Sequence, residues 1–111
     1  QNLCALRGCC WSPQSDASIP WCFFSAAHGY AVQGGLRNTP QGFQASLTRL
    51  PSPSLFGKEL SDVLLTAEYQ TQNRFHFKIT DPKTQRFEVP HEHVGPFSGS
   101  AASNLKYRVN V

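Results

Sequence analysis

The chain has 111 residues, which is enough for one ordinary domain or two small ones. Hydrophobic residues make up 40% and charged residues 15% of it, a composition that is typical of a folded protein and excludes a disordered one. The net charge is +3 and the Lys and Arg residues are dispersed, so the basic stripe of a nucleic-acid-binding protein is absent. No run approaches the roughly 18 apolar residues of a membrane span, so no transmembrane segment is predicted.

All the cysteines lie near the start of the chain, at Cys4, Cys9, Cys10 and Cys22. Zinc sites favour C-x2-4-C pairs, whereas the side chains of two adjacent cysteines point apart and rarely bind one metal ion. Disulfides are therefore favoured over a zinc site and over free thiols. They also suit a module that buries too little surface to fold unaided. Disulfides imply an oxidising compartment, so the protein would be secreted, at the cell surface or lysosomal.

The chain after the cysteine module begins with extended segments. Residues 28–35 are predicted to be a short extended segment that ends in a turn at Gly34 and Gly35, because glycine readily adopts positive φ. Residues 42–50 alternate apolar and polar side chains, which is typical of a half-buried strand. The stretch that breaks this strand, residues 50–54, is predicted to be a loop, since its two prolines cannot donate ladder hydrogen bonds.

Residues 62–70 are predicted to form the next strand. A helix over residues 59–68 also fits the spacing of the apolar side chains. Thr66, Tyr69 and Thr71 favour the strand, because β-branched and aromatic residues are enriched in strands.

The remaining segments also predict strands. Residues 74–80 show the clearest alternation of apolar and polar side chains. A turn at residues 81–84, in which proline fixes φ at the second position, leads to a hairpin partner at residues 86–89. Alternation at residues 105–111 predicts another strand. Short, evenly spaced strands without a long helix predict a mostly β fold built on an antiparallel β-sandwich.

The two ends of the chain are expected to be cut. The chain contains no Met and opens without the charged and apolar regions of a signal peptide. The last predicted strand runs to the final residue. We therefore expect a mature or excised piece of a longer protein.

The pattern C-x4-C-C-W-x-P followed by P-W-C-F-F resembles a trefoil (P-type) domain. That family has six cysteines, paired first to fifth, second to fourth and third to sixth. The four cysteines here match the third to the sixth, so the resemblance implies a disulfide between Cys4 and Cys22. It also implies that Cys9 and Cys10 pair with two cysteines that would precede this chain. The trefoil domain is placed at residues 1–26 and is incomplete on its N-terminal side.

Trp11 and Trp21 have two interpretations. Indole rings stack on sugar rings, and free-standing trefoil proteins bind glycans near such residues, so both are candidate glycan-stacking residues. Alternatively, they form the small core of the module or its contact with the next domain. The core or interface interpretation is favoured.

Two later stretches resemble the start of the N-terminal β-sandwich of family 31 α-glucosidases, of the intestinal maltase-glucoamylase and sucrase-isomaltase type. They are L-L-T-A-E-Y-Q-T-Q-N-R-F-H-F-K-I-T-D-P at residues 64–82 and R-F-E-V-P-H-E-H-V at residues 86–94. In these enzymes a trefoil precedes the sandwich and a catalytic (β/α)8 barrel follows it. The resemblance therefore implies that residues 27–111 begin a galactose-mutarotase-like sandwich. Lysosomal α-glucosidase shares the architecture and is a weaker match.

The resemblance also implies a function for the parent protein. It would be a retaining α-glucosidase that hydrolyses terminal α-glucosidic bonds of maltose-like oligosaccharides and needs no cofactor. Its catalytic aspartates lie on barrel strands beyond residue 111, so no catalytic residue is assigned here and this piece should be inactive. The implied partners are α-glucan oligosaccharides, bound by the parent, and the catalytic barrel. The implied location is the extracellular side of the apical surface, with a membrane-anchored parent, or alternatively the lysosome.

Other chemistry is weakly indicated. His91 and His93 could point to the same side of a strand as two metal ligands, but no third ligand is indicated and Pro90 disturbs the strand. Surface residues are therefore favoured and no metal site is predicted. No pair among the carboxylates stands out as the two that retaining glycosidases hold about 5–5.5 Å apart. The alternative function is a short secreted trefoil protein that binds mucin-type glycans and has no enzyme attached.

Overall fold

The computed structural model describes residues 1–54 and 56–111. The mostly β class is confirmed, since the described residues form one short helix, α1 (Asn2–Leu6), and six strands. The strands are β1 (Cys10–Trp11), β2 (Cys22–Phe23), β3 (Tyr30–Thr39), β4 (Gly42–Arg49), β5 (Asp62–Tyr69) and β6 (Phe75–Thr80). One sheet pairs β1 with β2, and the other has the order β3-β4-β5-β6.

These elements fall into two compact units. Unit 1 comprises Gln1–Ala31 and Arg49–Leu60, and unit 2 comprises Val32–Thr48 and Ser61–Val111. Unit 1 therefore contains α1, β1 and β2 and the proline-containing loop that follows β4. Unit 2 contains most of the four-stranded sheet and the irregular C-terminal segment.

Unit 2 owes its core to the pairing of β4 with β5. The antiparallel register places Phe43 opposite Ala67 and Ala45 opposite Leu65, and directly opposite residues share one face of a sheet. Phe43, Ala45, Val63 and Ala67 are all at most 8% exposed. The alternation predicted for β4 and β5 therefore produces the buried face, and the polar residues between them lie on the other side.

An aromatic cluster extends this core. The ring of Tyr107 lies 6.4 Å from that of Tyr69 and 6.0 Å from that of Phe75, measured between centroids. Its hydroxyl donates to the carbonyl oxygens of Thr71 and Arg74, at 3.3 and 3.1 Å. Both carbonyls belong to the connection between β5 and β6. Tyr107 thus ties the C-terminal segment to that connection.

The buried face is uncovered at its β6 side. Phe77 pairs with Ala67 and Ile79 with Leu65, so both lie on the apolar face. Phe77 is 58% exposed and Ile79 is 55% exposed. The sheet is therefore amphipathic, with an apolar face that its own unit covers only in part.

Several predicted elements are confirmed. The strands predicted at residues 42–50, 62–70 and 74–80 are β4, β5 and β6, shorter by at most one residue at an end. The strand interpretation of β5 is right and the helix is not. The predicted loop at residues 50–54 has no strand or helix. The turn at residues 81–84 begins at Asp81, whose carboxylate accepts a 2.9 Å hydrogen bond from the backbone N–H of Lys83.

The turn predicted at Gly34 and Gly35 is wrong. Both glycines adopt positive φ, at 72° and 93°, but they lie inside β3, which continues to Thr39. The chain reverses later, at Pro40 and the residue after it. Positive φ within a strand bends the backbone without ending it, as in a bulge, and alternation alone cannot distinguish the two outcomes.

The strands predicted at residues 86–89 and 105–111 are also wrong, because both segments are irregular. In the first, the contact with β6 is made by side chains, with 2.8 Å between Lys78 Nζ and a carboxylate oxygen of Glu88. In the second, the backbone N–H of Lys106 donates to the carbonyl of Gln72, which lies in the connection between β5 and β6. A side-chain ion pair in the first segment and a single backbone hydrogen bond in the second therefore stand where a strand ladder was predicted.

Gly42 allows β4 and β5 to approach closely, and its substitution should destabilise unit 2. A Cβ atom at this position would lie 2.2 Å from the carbonyl oxygen of Ala67, a backbone atom that cannot move aside. We expect Gly42→Ala to lower the free energy of unfolding by about 2 kcal/mol or more, in the range of overpacked cores. Urea unfolding followed by circular dichroism would measure it.

The matched control is Gly95→Ala. A Cβ atom at Gly95 would meet no atom within 4 Å, so this variant should unfold close to the wild-type midpoint. Equal midpoints for the two variants would contradict the close approach of β4 and β5.

Candidate functional site

The cysteine module is built around one crosslink. Cys4, on α1, is bonded to Cys22, on β2, with 5.9 Å between their Cα atoms. Cys4 is buried. α1 has only five residues, too few for a stable isolated helix, so the crosslink and its packing hold it in place. Cys9 and Cys10 carry free, half-buried thiols.

The two tryptophans lie side by side. Trp11 is opposite Cys22 in the β1–β2 register, and Trp21 directly precedes β2. Their ring centroids are 5.8 Å apart with the planes at 83°, an edge-to-face contact, and each residue is 37% exposed. Each indole therefore packs against the other and still presents part of its surface to solvent.

A second feature of unit 1 is a cavity with aromatic walls. Its volume is about 400 Å³, and it is lined by Phe24, His28, Gly29, Tyr30, Arg49, Ser52, Phe56 and Glu59. The ring centroids of Phe24 and Phe56 are 5.9 Å apart, and the two ring planes make an angle of 62°. The centroid of the His28 ring lies 6.5 Å from that of Phe24. We call this cavity the aromatic pocket.

An ion pair forms the polar part of the aromatic pocket. Arg49 Nη1 lies 3.5 Å from a carboxylate oxygen of Glu59, and the two side chains are 30% and 25% exposed. The same Nη1 donates to the carbonyl of Ser52 at 2.8 Å. The hydroxyl of Tyr30 donates to the carbonyl of Leu60 at 2.6 Å. These bonds fix the guanidinium and the phenol ring in defined positions.

Three carboxylates accept hydrogen bonds from nearby residues. A backbone hydrogen bond from Ser18 holds the pKa of Asp16 below its usual value, and one from Lys83 does the same for the pKa of Asp81. The hydrogen bond from Lys78 likewise lowers the pKa of Glu88. A general acid of a glycosidase requires the opposite shift, so none of these three groups has the property of one.

No group of three or more His, Cys, Asp or Glu side chains that could hold a metal ion is found among residues 1–54 and 56–111. His91 and His93 are exposed and lie in an irregular segment. In that same described part of the chain, no helix is long and apolar enough to cross a membrane.

Comparison with known families decides what the cysteine module is. Residues 1–25 match the trefoil (P-type) domain. These residues are similar to that domain, and we refer to them below as the trefoil domain. The Cys4–Cys22 crosslink, the tryptophan pair and one wall of the aromatic pocket all lie within or beside it.

The chain as a whole is similar to long carbohydrate-processing proteins. It is 51% identical over 111 residues to human intestinal sucrase-isomaltase, covering all of this chain and 6% of that protein. It is 57% identical over 104 residues to human probable maltase-glucoamylase 2, covering 93% of this chain and 4% of that protein. Rat lysosomal alpha-glucosidase is 38% identical over 98 residues, covering 83% of this chain and 10% of that protein.

The resemblance to these proteins predicted from the sequence is thereby confirmed, and the lysosomal protein is the weaker match, as expected. The chain spans only 4–10% of the length of these relatives. The similarity extends past the trefoil domain through the four-stranded sheet.

The aromatic pocket is the feature that the sequence did not indicate. Its residues come from two stretches, at the start of β3 and at the end of β4, and no motif connects them. Of the two regions, only the one before β3 shows closely spaced aromatic residues, at Trp21, Phe23 and Phe24. Phe56 has no aromatic neighbour in the sequence. Only the folded chain brings the rings of Phe24 and Phe56 together.

Loss of the Cys4–Cys22 crosslink should destabilise the trefoil domain. The bond spans 18 positions of sequence, and a loop of that size contributes about 3 kcal/mol in the chain-entropy model. We expect Cys4→Ser to lower the free energy of unfolding of unit 1 by about this amount. Urea unfolding followed by tryptophan fluorescence would measure it, because both tryptophans lie in the domain.

Cys10→Ser is the matched control, since Cys10 is free and half-buried. It should leave the unfolding midpoint nearly unchanged. A similar loss in both variants would show that burial of the thiols, and not the crosslink, stabilises the domain.

The pKa of Glu88 should depend on Lys78. Replacing the amine by an apolar group in Lys78→Met should raise the pKa of Glu88 towards its usual value, because the hydrogen bond is the largest cause of its lowering. A carboxyl group whose pKa is lower in the folded protein than in the unfolded chain stabilises the fold at pH values above its unfolded pKa. This stabilisation is lost as the pH falls through its folded pKa. NMR titration of the Glu88 carboxyl would measure the change. The control is Arg86→Met, which removes a contact of Asp81 and should leave the pKa of Glu88 unchanged. If Lys78→Met also leaves the pKa of Glu88 unchanged, the contact between Lys78 and Glu88 is contradicted.

Proposed function

We propose that this chain is the trefoil domain and the first part of the β-sandwich of a family 31 α-glucosidase. The observation that carries the proposal is the 51% identity to human intestinal sucrase-isomaltase, which runs through all 111 residues. A protein that shared only a trefoil module would match over the first 25 residues alone. The boundary between the two parts is proposed at residues 26 and 27.

The parent protein is proposed to hydrolyse terminal α-glucosidic bonds of maltose-like oligosaccharides with retention of configuration. Retaining glycosidases use one carboxylate as nucleophile and another as acid and base. Both would lie in a catalytic barrel that this chain does not contain. The lowered pKa values of Asp16, Asp81 and Glu88 argue only against any of these three groups as the general acid.

The contribution of this chain is proposed to be structural. An apolar sheet face that is open at Phe77 and Ile79 would be stabilised by an apolar partner surface, because exposed apolar patches mark interaction sites. In the proposed parent, the rest of the sandwich and the barrel supply that surface. Packing on them would position the trefoil domain beside the enzyme.

The two free cysteines fit the same proposal. Cys9 and Cys10 are proposed to pair in the parent with two further cysteines of the trefoil pattern, outside these 111 residues. Disulfides of this kind persist in an oxidising compartment. The proposed location is the extracellular side of the apical cell surface, where the parent would be anchored, with the lysosome as the alternative.

A second candidate function is a secreted trefoil protein that binds mucin-type glycans without an attached enzyme. The exposed parts of the Trp11 and Trp21 rings favour it, because a sugar ring can stack on an open indole surface. This candidate does not explain why the sequence similarity continues beyond residue 25, and we therefore place it second.

A chimera would test the proposal. The matching segment of human intestinal sucrase-isomaltase would be replaced by residues 1–111, and delivery to the cell surface and maltose hydrolysis would be measured in cultured cells. We expect a chimera that reaches the cell surface with activity within a few-fold of the unmodified enzyme, and no glucose release by the 111-residue chain itself. A chimera that reaches the surface but is inactive would contradict the enzyme proposal, and tight mucin binding by the chain would favour the second candidate.

A pair of variants in the same chimera tests the structural contribution. Phe77→Ser, on the apolar face, should reduce delivery to the cell surface at least several-fold, because it removes an apolar side chain from a surface proposed to be covered. Lys78→Arg, on the opposite face of the same strand, keeps a positive charge beside Glu88 and should reach the surface normally. Equal surface delivery of the two variants would show that the apolar face stays uncovered in the parent.

A further inference from the structure

We propose that the aromatic pocket of unit 1 binds a neutral pyranose ring at the end of an α-linked glucan, as a non-catalytic site. The choice of an α-linked glucan rests on the proposed function, whereas the choice of a neutral pyranose rests on the pocket itself. The site is separate from the tryptophan pair, since neither Trp11 nor Trp21 lines the pocket.

The walls of the pocket provide apolar surface for one face of a sugar. A pyranose has a face of C–H groups that packs on aromatic rings, and its hydroxyl groups lie around the rim. Phe24, Tyr30 and Phe56 contribute three rings to the lining, and most of the surface of Phe24 and Phe56 is exposed. Exposed aromatic rings around a concavity are typical of ligand sites, where a few polar groups fix the orientation.

The ion pair of the pocket provides the polar contacts. Arg49 uses Nη1 for both Ser52 and Glu59, so its other N–H groups can still donate. The Glu59 carboxylate, 3.5 Å away, can accept through more than one lone pair. A donor and an acceptor held side by side match two neighbouring hydroxyl groups of a sugar, each of which can both donate and accept.

The same ion pair argues against a charged ligand. Both charges line the pocket 3.5 Å apart, so a cation or an anion in it would be attracted by one of them and repelled by the other. Each charge already neutralises the other, so the pocket selects a neutral ligand with hydroxyl groups over an ammonium or a phosphate.

The size and chemistry of the pocket agree with binding and not with hydrolysis. Its volume of about 400 Å³ lies at the small end of the range of about 300–1,000 Å³ for ligand sites, which suits one or two sugar rings. Glu59 is its only carboxylate among the described lining residues, and a glycosidase needs two. The pocket would therefore hold a chain end without cleaving it.

Titration of the 111-residue chain with maltose, followed by NMR, tests the site. We expect maltose to shift the backbone amide signals of Gly29 and of the residues around Phe56, and to bind at least tenfold more weakly to Phe24→Ala. Glu59→Gln, which keeps the shape of the side chain, should weaken binding at least five-fold. The Glu59→Gln variant still tests the inference if Phe24→Ala fails to fold.

Phe77→Ala is the matched control, because Phe77 is as exposed as Phe24 and lies outside the pocket. It should bind maltose as the wild type does. The inference is overturned if maltose shifts no pocket signals, if Phe24→Ala and Phe77→Ala bind equally, or if Trp21→Ala alone abolishes binding. The last result would place the sugar on the tryptophan pair.

A parallel titration with N-acetyllactosamine distinguishes the source of the sugar. Tighter binding of maltose supports the end of an α-glucan as the ligand. Tighter binding of N-acetyllactosamine at the same residues overturns the choice of an α-glucan and indicates a mucin-type glycan. The chimera assay is independent of this result. An active chimera without maltose binding at the pocket would overturn this inference alone, and maltose binding with an inactive chimera would overturn the proposed function alone.

Discussion

The pairing of β4 with β5 is the constraint on which unit 2 depends. Its register decides which side chains are buried, because a slip of β4 by one residue would turn Phe43 and Ala45 to the polar face while Ala67 of β5 stayed on the apolar one. Gly42 permits the close approach of the two backbones at the end of this ladder. The aromatic cluster and the C-terminal segment are then added to a face that the ladder has already defined.

Unit 1 is stabilised by different physics. Cys4 is the only buried hydrophobic residue of its described part, so apolar burial contributes little, and the crosslink to Cys22 compensates by restricting the unfolded chain. A consequence is that many aromatic side chains remain open to solvent. The tryptophan pair and the aromatic pocket both arise from this shortage of core.

The sequence predicted the central strands well and the edges of the sheet poorly. Alternation in β4, β5 and β6 reflects burial on one face, which is a local signal. Gly34 and Gly35 were misjudged because positive φ bends β3 without ending it. Residues 105–111 alternate as a strand would, yet Tyr107 is anchored by its ring and hydroxyl, which depends on partners distant in sequence. The aromatic pocket was missed for the same reason.

The two segments of unit 1 have a consequence for how its pocket could arise. The trefoil pattern ends at residue 25 and supplies Phe24, whereas Arg49 is the last residue of β4 and Phe56 and Glu59 come from the loop that follows it. A trefoil domain carried by a different host would bring one wall and lack the other, together with the ion pair. The pocket is therefore a property of the two segments combined, and neither segment forms it alone.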